Sequence, residues 1–120
     1  MTPSTASDRV LLMHILDCIQ QVEEYTKYER ETFFESRFVQ DAVMRNLQVL
    51  AESTQRLGES LKDTRQDIPW KEIAGFRNVL AHGYLNIDLI LVWEIIEDNL
   101  RDLADAAEEM LLAVNRDTST

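Results

Sequence analysis

Residues 77–84, R-N-V-L-A-H-G-Y, bring a guanidinium, an imidazole and a phenol into one short stretch. Arg77 is permanently cationic and can bind a phosphate through two parallel N–H bonds. His82 can take and return a proton near neutral pH. Two such groups could cleave RNA without a metal, because one can deprotonate the ribose 2′-hydroxyl while the cation stabilises charge on the phosphate oxygens. The segment is therefore the first candidate for a catalytic site.

The interval of five residues between Arg77 and His82 is a poor one within a single helix. Side chains at that spacing diverge by about 140° on an ideal helix, and a long arginine stem narrows the gap only in part. A site shared between two chains would bring the groups together at a dimer seam. His82 also falls in the last turn of a predicted helix, whose dipole favours imidazolium. It therefore suits a proton donor or a phosphate-binding cation as well as a general base.

The same residues also have a purely structural interpretation, which is the commoner one for such a pattern. Arg77 would be a solvated or ion-paired helix arginine, His82 would bond free carbonyls at a helix end, and Tyr84 would pack over that end. Residue types and spacing alone exclude neither interpretation.

The composition indicates one helical domain. The chain has 120 residues, 45% of them hydrophobic, and only three glycines and two prolines, which disfavours a turn-rich β architecture. Its single cysteine, Cys18, permits no internal disulfide and should pack as a small hydrophobic residue. No HxxxH or HExxH spacing occurs in the sequence, so we expect no metal site.

The net charge of −10 bears on the partners that the chain can have. A protein that coats nucleic acid through phosphate contacts should be basic, so we expect no DNA partner and no stable, sequence-independent coating. A local cationic pocket in an acidic chain is still compatible with catalysis on RNA. The first residues lack the apolar core of a signal peptide, and no apolar run is long enough to span a bilayer. We therefore expect a cytoplasmic protein without a membrane partner.

Apolar residues that recur every three or four positions predict four amphipathic helices. Their predicted spans are 8–28, 32–61, 69–83 and 88–114, with a polar connector at 62–68. Short connectors between four helices, or five, predict an all-α, antiparallel up-and-down bundle. The predicted domain covers 8–115, and the tails 1–7 and 116–120 are expected to be flexible.

Local chemistry suggests where these helices begin and end. Residues 32–35, T-F-F-E, match a capping box for the second helix, and Gly58 marks where that helix should loosen. Pro69 suits the first turn of the third helix, where its missing N–H costs nothing. Asn86 or Asp88 can cap the fourth helix.

Two longer patterns extend beyond the candidate segment. Residues 42–57, AVMRNLQVLAESTQRL, match most of the fixed positions in the pattern A-V-x-R-x-L-x-x-I-G-E-A-x-x-x-L. Residues 69–84 match P-W-x-x-I-x-x-x-R-N-x-L-x-H-x-Y at every fixed position. An R-x4-H core alone would be a weak motif, but the preceding P-W-x-x-I and the following tyrosine make it specific. With these patterns the chain resembles the HEPN-domain toxins of the HepT type over nearly its whole length.

The resemblance implies a HEPN-like homodimer that cleaves RNA, such as tRNA or mRNA, without a metal at a site on the dimer seam. It gives catalysis to Arg77 and His82, with Asn78 as a polar neighbour that assists. Tyr84 falls on the tyrosine that the family's antitoxin, a minimal nucleotidyltransferase of the MntA type, modifies with AMP. That modification would use ATP and Mg²⁺ bound by the partner, so this chain is expected to need no cofactor. AMP groups beside His82 would block phosphate entry by charge and bulk.

Two departures from the family pattern in the second helix matter. Ala51 and Ser53 stand where the family usually has Gly and Ala, and the added methyl of Ala51 could alter a close helix contact or the dimer. Glu52 is retained, and its role is open: it could pair with Arg45 or another basic group, or lie near the site.

These observations lead to hypotheses of different classes. The first is the toxin of a type VII-like toxin–antitoxin pair: an endoribonuclease that leaves 2′,3′-cyclic phosphate and 5′-hydroxyl ends and is neutralised by AMP addition to Tyr84. The alternative is a non-catalytic HEPN module that binds a nucleotidyltransferase or another protein, and the net charge of −10 favours it. A purely structural helical dimer would show neither RNA cleavage nor toxicity.

Overall fold

The computed structural model describes residues 3–81 and 88–118, and this part of the chain is all-α. It contains no strand and forms seven helices: α1 Pro3–Thr26, α2 Arg30–Glu35, α3 Arg37–Arg56, α4 Glu59–Asp63, α5 Trp70–Ala74, α6 Phe76–Ala81 and α7 Leu89–Thr118. The all-α prediction is confirmed. Three of these helices, α1, α3 and α7, are long. The other four are short, and they arise because the predicted second and third helices are interrupted.

The three long helices form the core, with α1 packed against both α3 and α7. Their apolar stripes supply fully buried side chains, among them Leu12, Ile15, Val22, Val43, Leu47, Leu50, Val92 and Leu103. Burial of each such aliphatic side chain contributes ~1.5–3 kcal/mol, so packing and not helix propensity holds these helices. α1 and α3 run antiparallel, since Asp8 near the start of α1 accepts a hydrogen bond from the Gly58 N–H just beyond α3.

α1 ends two residues before the predicted limit at Tyr28. The Thr26 hydroxyl donates to the Val22 carbonyl at 2.9 Å and accepts from the Tyr28 N–H at 3.3 Å. Lys27 and Tyr28 then adopt left-handed backbone angles, with φ of 53° and 59°, which stop the helix. The Tyr28 hydroxyl accepts from the guanidinium of Arg101 at 3.2 Å, so this turn is fixed to α7.

The capping box predicted at residues 32–35 is wrong. Thr32 lies inside α2, and its hydroxyl donates to the Glu29 carboxylate at 3.3 Å instead of capping a helix. Ser36 caps α3, because its backbone is extended and its hydroxyl accepts from the Val39 N–H at 3.2 Å. The predicted second helix is therefore interrupted near its start.

The interruption at Ser36 leaves α2 as a separate helix that contributes an aromatic side chain to the core. Phe33 is fully buried and stacks on Trp93 of α7 with ring centroids 5.6 Å apart. Its ring also meets Phe34 edge-on at 5.2 Å. Aromatic pairs of this kind contribute ~0.5–1.5 kcal/mol beyond the area they bury.

The predicted loosening near Gly58 is confirmed, since α3 ends two residues before it and its backbone is extended. The predicted polar connector, 62–68, overlaps the end of α4, which continues to Asp63. Lys62 is buried there, and its ammonium donates to the Thr54 carbonyl at 3.2 Å. The Trp70 indole N–H donates to the carbonyls of Lys62 and Arg65 at 3.2 and 3.0 Å. These bonds fix the chain between α4 and α5.

The predicted third helix is divided at Gly75 into α5 and α6. Pro69 lies at the N-cap of α5, directly before its first helical residue. A Cβ on Gly75 would lie 3.2 Å from the Glu72 carbonyl oxygen, so a residue without a side chain favours the tight join between the two helices. Beyond the join, Phe76 and Leu80 of α6 are buried.

Asp88, one of the two residues predicted as a cap, caps α7. Its carboxylate accepts from the N–H groups of Ile90 and Leu91 at 3.1 and 3.2 Å. The other candidate, Asn86, lies outside the described residues.

The two terminal helices extend beyond their predicted limits. α1 begins at Pro3, five residues before the predicted start at Asp8, and α7 continues to Thr118, past the predicted end of the domain at residue 115. None of the helices in the described part of the chain is long and apolar enough to cross a membrane.

Candidate active site

Helix α6 places two of the candidate residues at the surface. Because Phe76 and Leu80 face the core, the intervening Arg77 and Asn78 point outward and are exposed. The Asn78 N–H donates to the Gly75 carbonyl at 3.0 Å, which ties the first turn of α6 to the join with α5. The predicted phosphate-binding residue and its polar neighbour are therefore accessible to a substrate.

The side chain of Arg77 is held by a residue of α3. Its Nη1 donates a hydrogen bond to Oε1 of Gln55 at 3.0 Å, and this bond joins α6 to the last turn of α3. Arg77 forms no ion pair within residues 3–81 and 88–118. In this part of the chain the guanidinium thus meets a neutral acceptor, and no carboxylate cancels its charge.

Gln55 was not among the residues predicted for the site. It occupies a variable position of the pattern at 42–57, and it lies 22 residues from Arg77 in the chain. The contact depends on how α6 packs on α3, so no spacing in the sequence could have identified it.

His82 and Tyr84 lie outside the described residues. The distance from Arg77 to His82, the proton transfer by the imidazole and the addition of AMP to Tyr84 remain predictions. The structure describes the arginine half of the candidate site: Arg77, its neighbour Asn78 and the amide of Gln55.

Gln55 also borders a cavity of about 650 Å³ between the end of α3 and the α4–α5 segment. The charged residues that line it are Glu59, Lys62, Asp63, Lys71 and Glu72. Acids outnumber bases in this set, so the cavity does not by itself favour an anion. Arg77 contacts Gln55 but is not among the residues that line this cavity.

Glu52 lines a second groove, of about 520 Å³, between α1 and α3. His14 and Arg56 border the same groove. Among the described residues, Glu52 forms an ion pair neither with Arg45 nor with another base. Because Glu52 and Gln55 are three residues apart on one helix, this groove lies about one helical turn from the arginine contact.

The two residues that depart from the family pattern, Ala51 and Ser53, are buried. Ala51 is fully buried and Ser53 nearly so. Their side chains therefore affect packing within this chain and leave the exposed face of α3 unchanged.

A family model described as "Ribonuclease HepT-like" matches residues 15–110. The chain belongs to the HepT-like family. This match confirms the resemblance drawn from the two sequence patterns, together with the HEPN-like helical fold that it implied. The matched span includes α3, α6 and both positions of the R-x4-H core.

Curated relatives are similar to this HepT-like chain over most of its length. A Methanocaldococcus jannaschii protein named "Gamma-glutamylcyclotransferase and putative RNase MJ0434" is 38% identical over 104 residues, which cover 86% of this chain and 46% of that protein. "Putative RNase MJ1380" of the same organism is 30% identical over 101 residues, 83% of this chain and 93% of that protein. "Probable ribonuclease HepT" of Thermococcus cleftensis is 29% identical over 108 residues, 87% of this chain and 96% of that protein.

This chain thus spans about half of the first of these relatives and nearly all of the other two. No solved structure matches it significantly. Within the described ranges, no group of three His, Cys, Asp or Glu side chains is arranged to hold a metal ion. His82 is not among those residues, and the expectation of a reaction without a metal stays a prediction.

Proposed function

We propose that this HepT-like protein is an endoribonuclease that cleaves RNA, such as tRNA or mRNA, without a metal. The observation that carries the proposal is the exposed guanidinium of Arg77, which an amide orients and which has no carboxylate partner in the described part of the chain. An arginine in that state can bind a phosphate through two N–H bonds. Membership of the HepT-like family, and relatives that carry the name RNase, support this reaction class.

In the proposed reaction, the imidazole of His82 removes the proton of a ribose 2′-hydroxyl, and the 2′ oxygen forms a bond to the adjacent phosphorus. The bond from phosphorus to the 5′ oxygen breaks, and that oxygen takes up a proton. The products are a 2′,3′-cyclic phosphate and a 5′-hydroxyl. Arg77 stabilises the charge on the non-bridging oxygens, and Asn78 assists as a neighbouring donor. The five-residue interval favours a homodimer in which two copies of these groups converge on one site.

The same proposal includes a role as the toxin of a type VII-like toxin–antitoxin pair. The partner is a minimal nucleotidyltransferase of the MntA type, which binds ATP and Mg²⁺ and transfers AMP to the Tyr84 hydroxyl, with release of pyrophosphate. AMP at Tyr84 adds negative charge and bulk two residues from His82, so it repels the phosphate of RNA. Mass spectrometry after incubation with the partner, ATP and Mg²⁺ should show added AMP that is absent from Tyr84→Phe. Modification at another residue would contradict this part of the proposal.

The cleavage itself is tested with purified protein and RNA in EDTA, with the RNA ends mapped. Arg77→Ala and His82→Ala should lower cleavage at least ~100-fold while the helical circular dichroism is retained. Arg37→Ala removes the same charge from an exposed position at the start of α3 and should stay within about twofold of wild type. Wild-type activity in either site variant would overturn the assignment.

A non-catalytic HEPN module is the second candidate, and the net charge of −10 is the observation that favours it. Such a module would bind the nucleotidyltransferase but would neither cleave RNA nor inhibit growth when expressed. Expression of wild type beside His82→Ala separates the two candidates. Growth inhibition by wild type alone supports the ribonuclease, whereas equal growth of both strains supports the module.

A further inference from the structure

The partner of Arg77 is the neutral amide of Gln55, in a chain rich in carboxylates. The sequence has 22 acidic residues against 12 basic ones, so a surface guanidinium would be expected to pair with a carboxylate. Glu52 lies one helical turn before Gln55, and Glu59 borders the same cavity as Gln55. Arg77 nevertheless donates to the amide oxygen and forms no ion pair among the described residues. The structure therefore orients this guanidinium without neutralising it.

The difference between an amide and a carboxylate matters for phosphate binding. A carboxylate at position 55 would attract the same N–H groups that a phosphate needs, so the two anions would compete for Arg77. The amide oxygen takes one of five guanidinium donors and adds no charge, which leaves a pair of donors for a phosphate. Gln55 lies on one of the three long helices of the core, so the packing of α3 sets the position of its backbone.

We propose that Gln55 is a positioning residue for Arg77, which holds the guanidinium in place while its positive charge stays available to the RNA phosphate. This rests on the proposed ribonuclease function and extends it to a residue outside the R-x4-H core. Gln55 acts through Arg77 and makes no contact with the RNA.

Two replacements of Gln55 distinguish the loss of the hydrogen bond that orients Arg77 from the addition of a negative charge beside it. Gln55→Met keeps the length and helix propensity of the side chain but removes the acceptor, whereas Gln55→Glu keeps an acceptor and adds a charge. Gln48→Met and Gln48→Glu are the matched controls. Gln48 is exposed on the same face of α3, seven residues earlier and about 10.5 Å along the helix axis.

The assay measures kcat and KM for RNA cleavage in EDTA, together with the urea midpoint of each variant. Gln55→Met should lower kcat about fivefold, the loss of one hydrogen bond, with KM within about twofold of wild type because the charge of Arg77 remains. Gln55→Glu should lower kcat/KM about tenfold and raise KM, since the new carboxylate pairs with Arg77 and repels phosphate. Both Gln48 variants should stay within about twofold, because salt screens charge at that distance.

The outcomes distinguish a failure of the positioning role from a failure of the proposed function. Wild-type kcat in Gln55→Met, or equal effects of Gln48→Glu and Gln55→Glu, would overturn the positioning role alone. A fall in the urea midpoint of Gln55→Met with kcat and KM unchanged would make Gln55 a packing residue. Wild-type protein that does not cleave RNA, or Arg77→Ala that remains fully active, would overturn the proposed function and the role of Gln55 with it.

Discussion

Asp8 fixes the start of α1 to the chain just beyond α3, and this contact can be tested from both of its sides. Its Oδ1 accepts the Gly58 N–H at 3.0 Å, and the residue is only 9% exposed. A Cβ on Gly58 would lie 3.2 Å from the other carboxylate oxygen, closer than ordinary van der Waals contact. Removing the carboxylate and adding a methyl at Gly58 should therefore each destabilise the fold.

The size of both effects follows from the geometry. A hydrogen bond to a charged group contributes ~1.5–3 kcal/mol, so Asp8→Ala should lower the free energy of unfolding by that amount. With a urea m value of ~1–3 kcal/mol/M, the midpoint should fall by roughly 1 M. Gly58 has φ −61° and ψ 141°, which alanine adopts without strain. Gly58 is also the N-cap of α4, where alanine is less favourable than glycine, so Gly58→Ala should destabilise through the cap as well as by displacing the buried carboxylate.

The test is a double-mutant cycle followed by urea unfolding and circular dichroism. In the Asp8→Ala background the crowding oxygen is absent, so Gly58→Ala should cost less there than in the wild type. Asp17→Ala makes the same replacement at an exposed position of α1 and should cost less than ~0.5 kcal/mol. Additive effects in the double variant, or an equal cost for Asp17→Ala and Asp8→Ala, would refute the contact.

Three further predictions concern the helix ends and the core. Ser36→Ala should lower the free energy of unfolding in urea by ~1 kcal/mol because α3 loses its cap, whereas Thr32→Ala should cost less than ~0.5 kcal/mol; equal costs would contradict a cap at Ser36. Trp70→Phe should cost ~1–3 kcal/mol in thermal unfolding, since two carbonyls lose their indole donor, and an unchanged midpoint would exclude those bonds. Burial, with a smaller effect of Asp17, raises the pKa of the Cys18 thiol to about 11, so a disulfide reagent at pH 8 should label the native protein far more slowly than the urea-unfolded chain. Below ~pH 8.5 the Cys18 thiol is protonated in both the folded and the unfolded protein. Above that pH the thiol ionises first in the unfolded chain, so the free energy of unfolding should fall as the pH rises. Cys18→Ala should remove this contribution to the pH dependence.

The long helices could be predicted because each carries an apolar stripe over several turns, and the same stripes form the core. Their ends could not, since residues 3–7 have no periodic apolar signal and yet belong to α1. The T-x-x-E pattern at 32–35 fits a capping box better than Ser36 does, because no glutamate follows Ser36 three residues later. The packing of Phe33 on Trp93 of α7 favours a separate α2, and this tertiary contact leaves no local pattern in the sequence.

The candidate site could be predicted from its motif but not from its surroundings. The outward position of Arg77 and Asn78 follows from the apolar residues of α6 on either side of them. The contact of Arg77 with Gln55 requires α6 to lie against the end of α3, and the join at Gly75 sets where α6 begins. Each of these steps depends on the packed fold, so the motif alone could name Arg77 but not the residue that holds it.

The acidity of the chain and the proposed chemistry on RNA are compatible because they act over different distances. At physiological ionic strength, repulsion between a net charge of −10 and a polyanion is screened beyond ~8 Å, whereas a guanidinium in hydrogen-bond contact with a phosphate is screened much less. Without long-range attraction, RNA is held mainly by contacts at the scissile phosphate, and selectivity in the proposed reaction has to arise there. A cation such as Arg77, which has no carboxylate partner in residues 3–81 and 88–118, then counts for more than a basic surface. In the proposed role of Gln55, an amide in place of a carboxylate holds this cation without adding a charge that competes with phosphate.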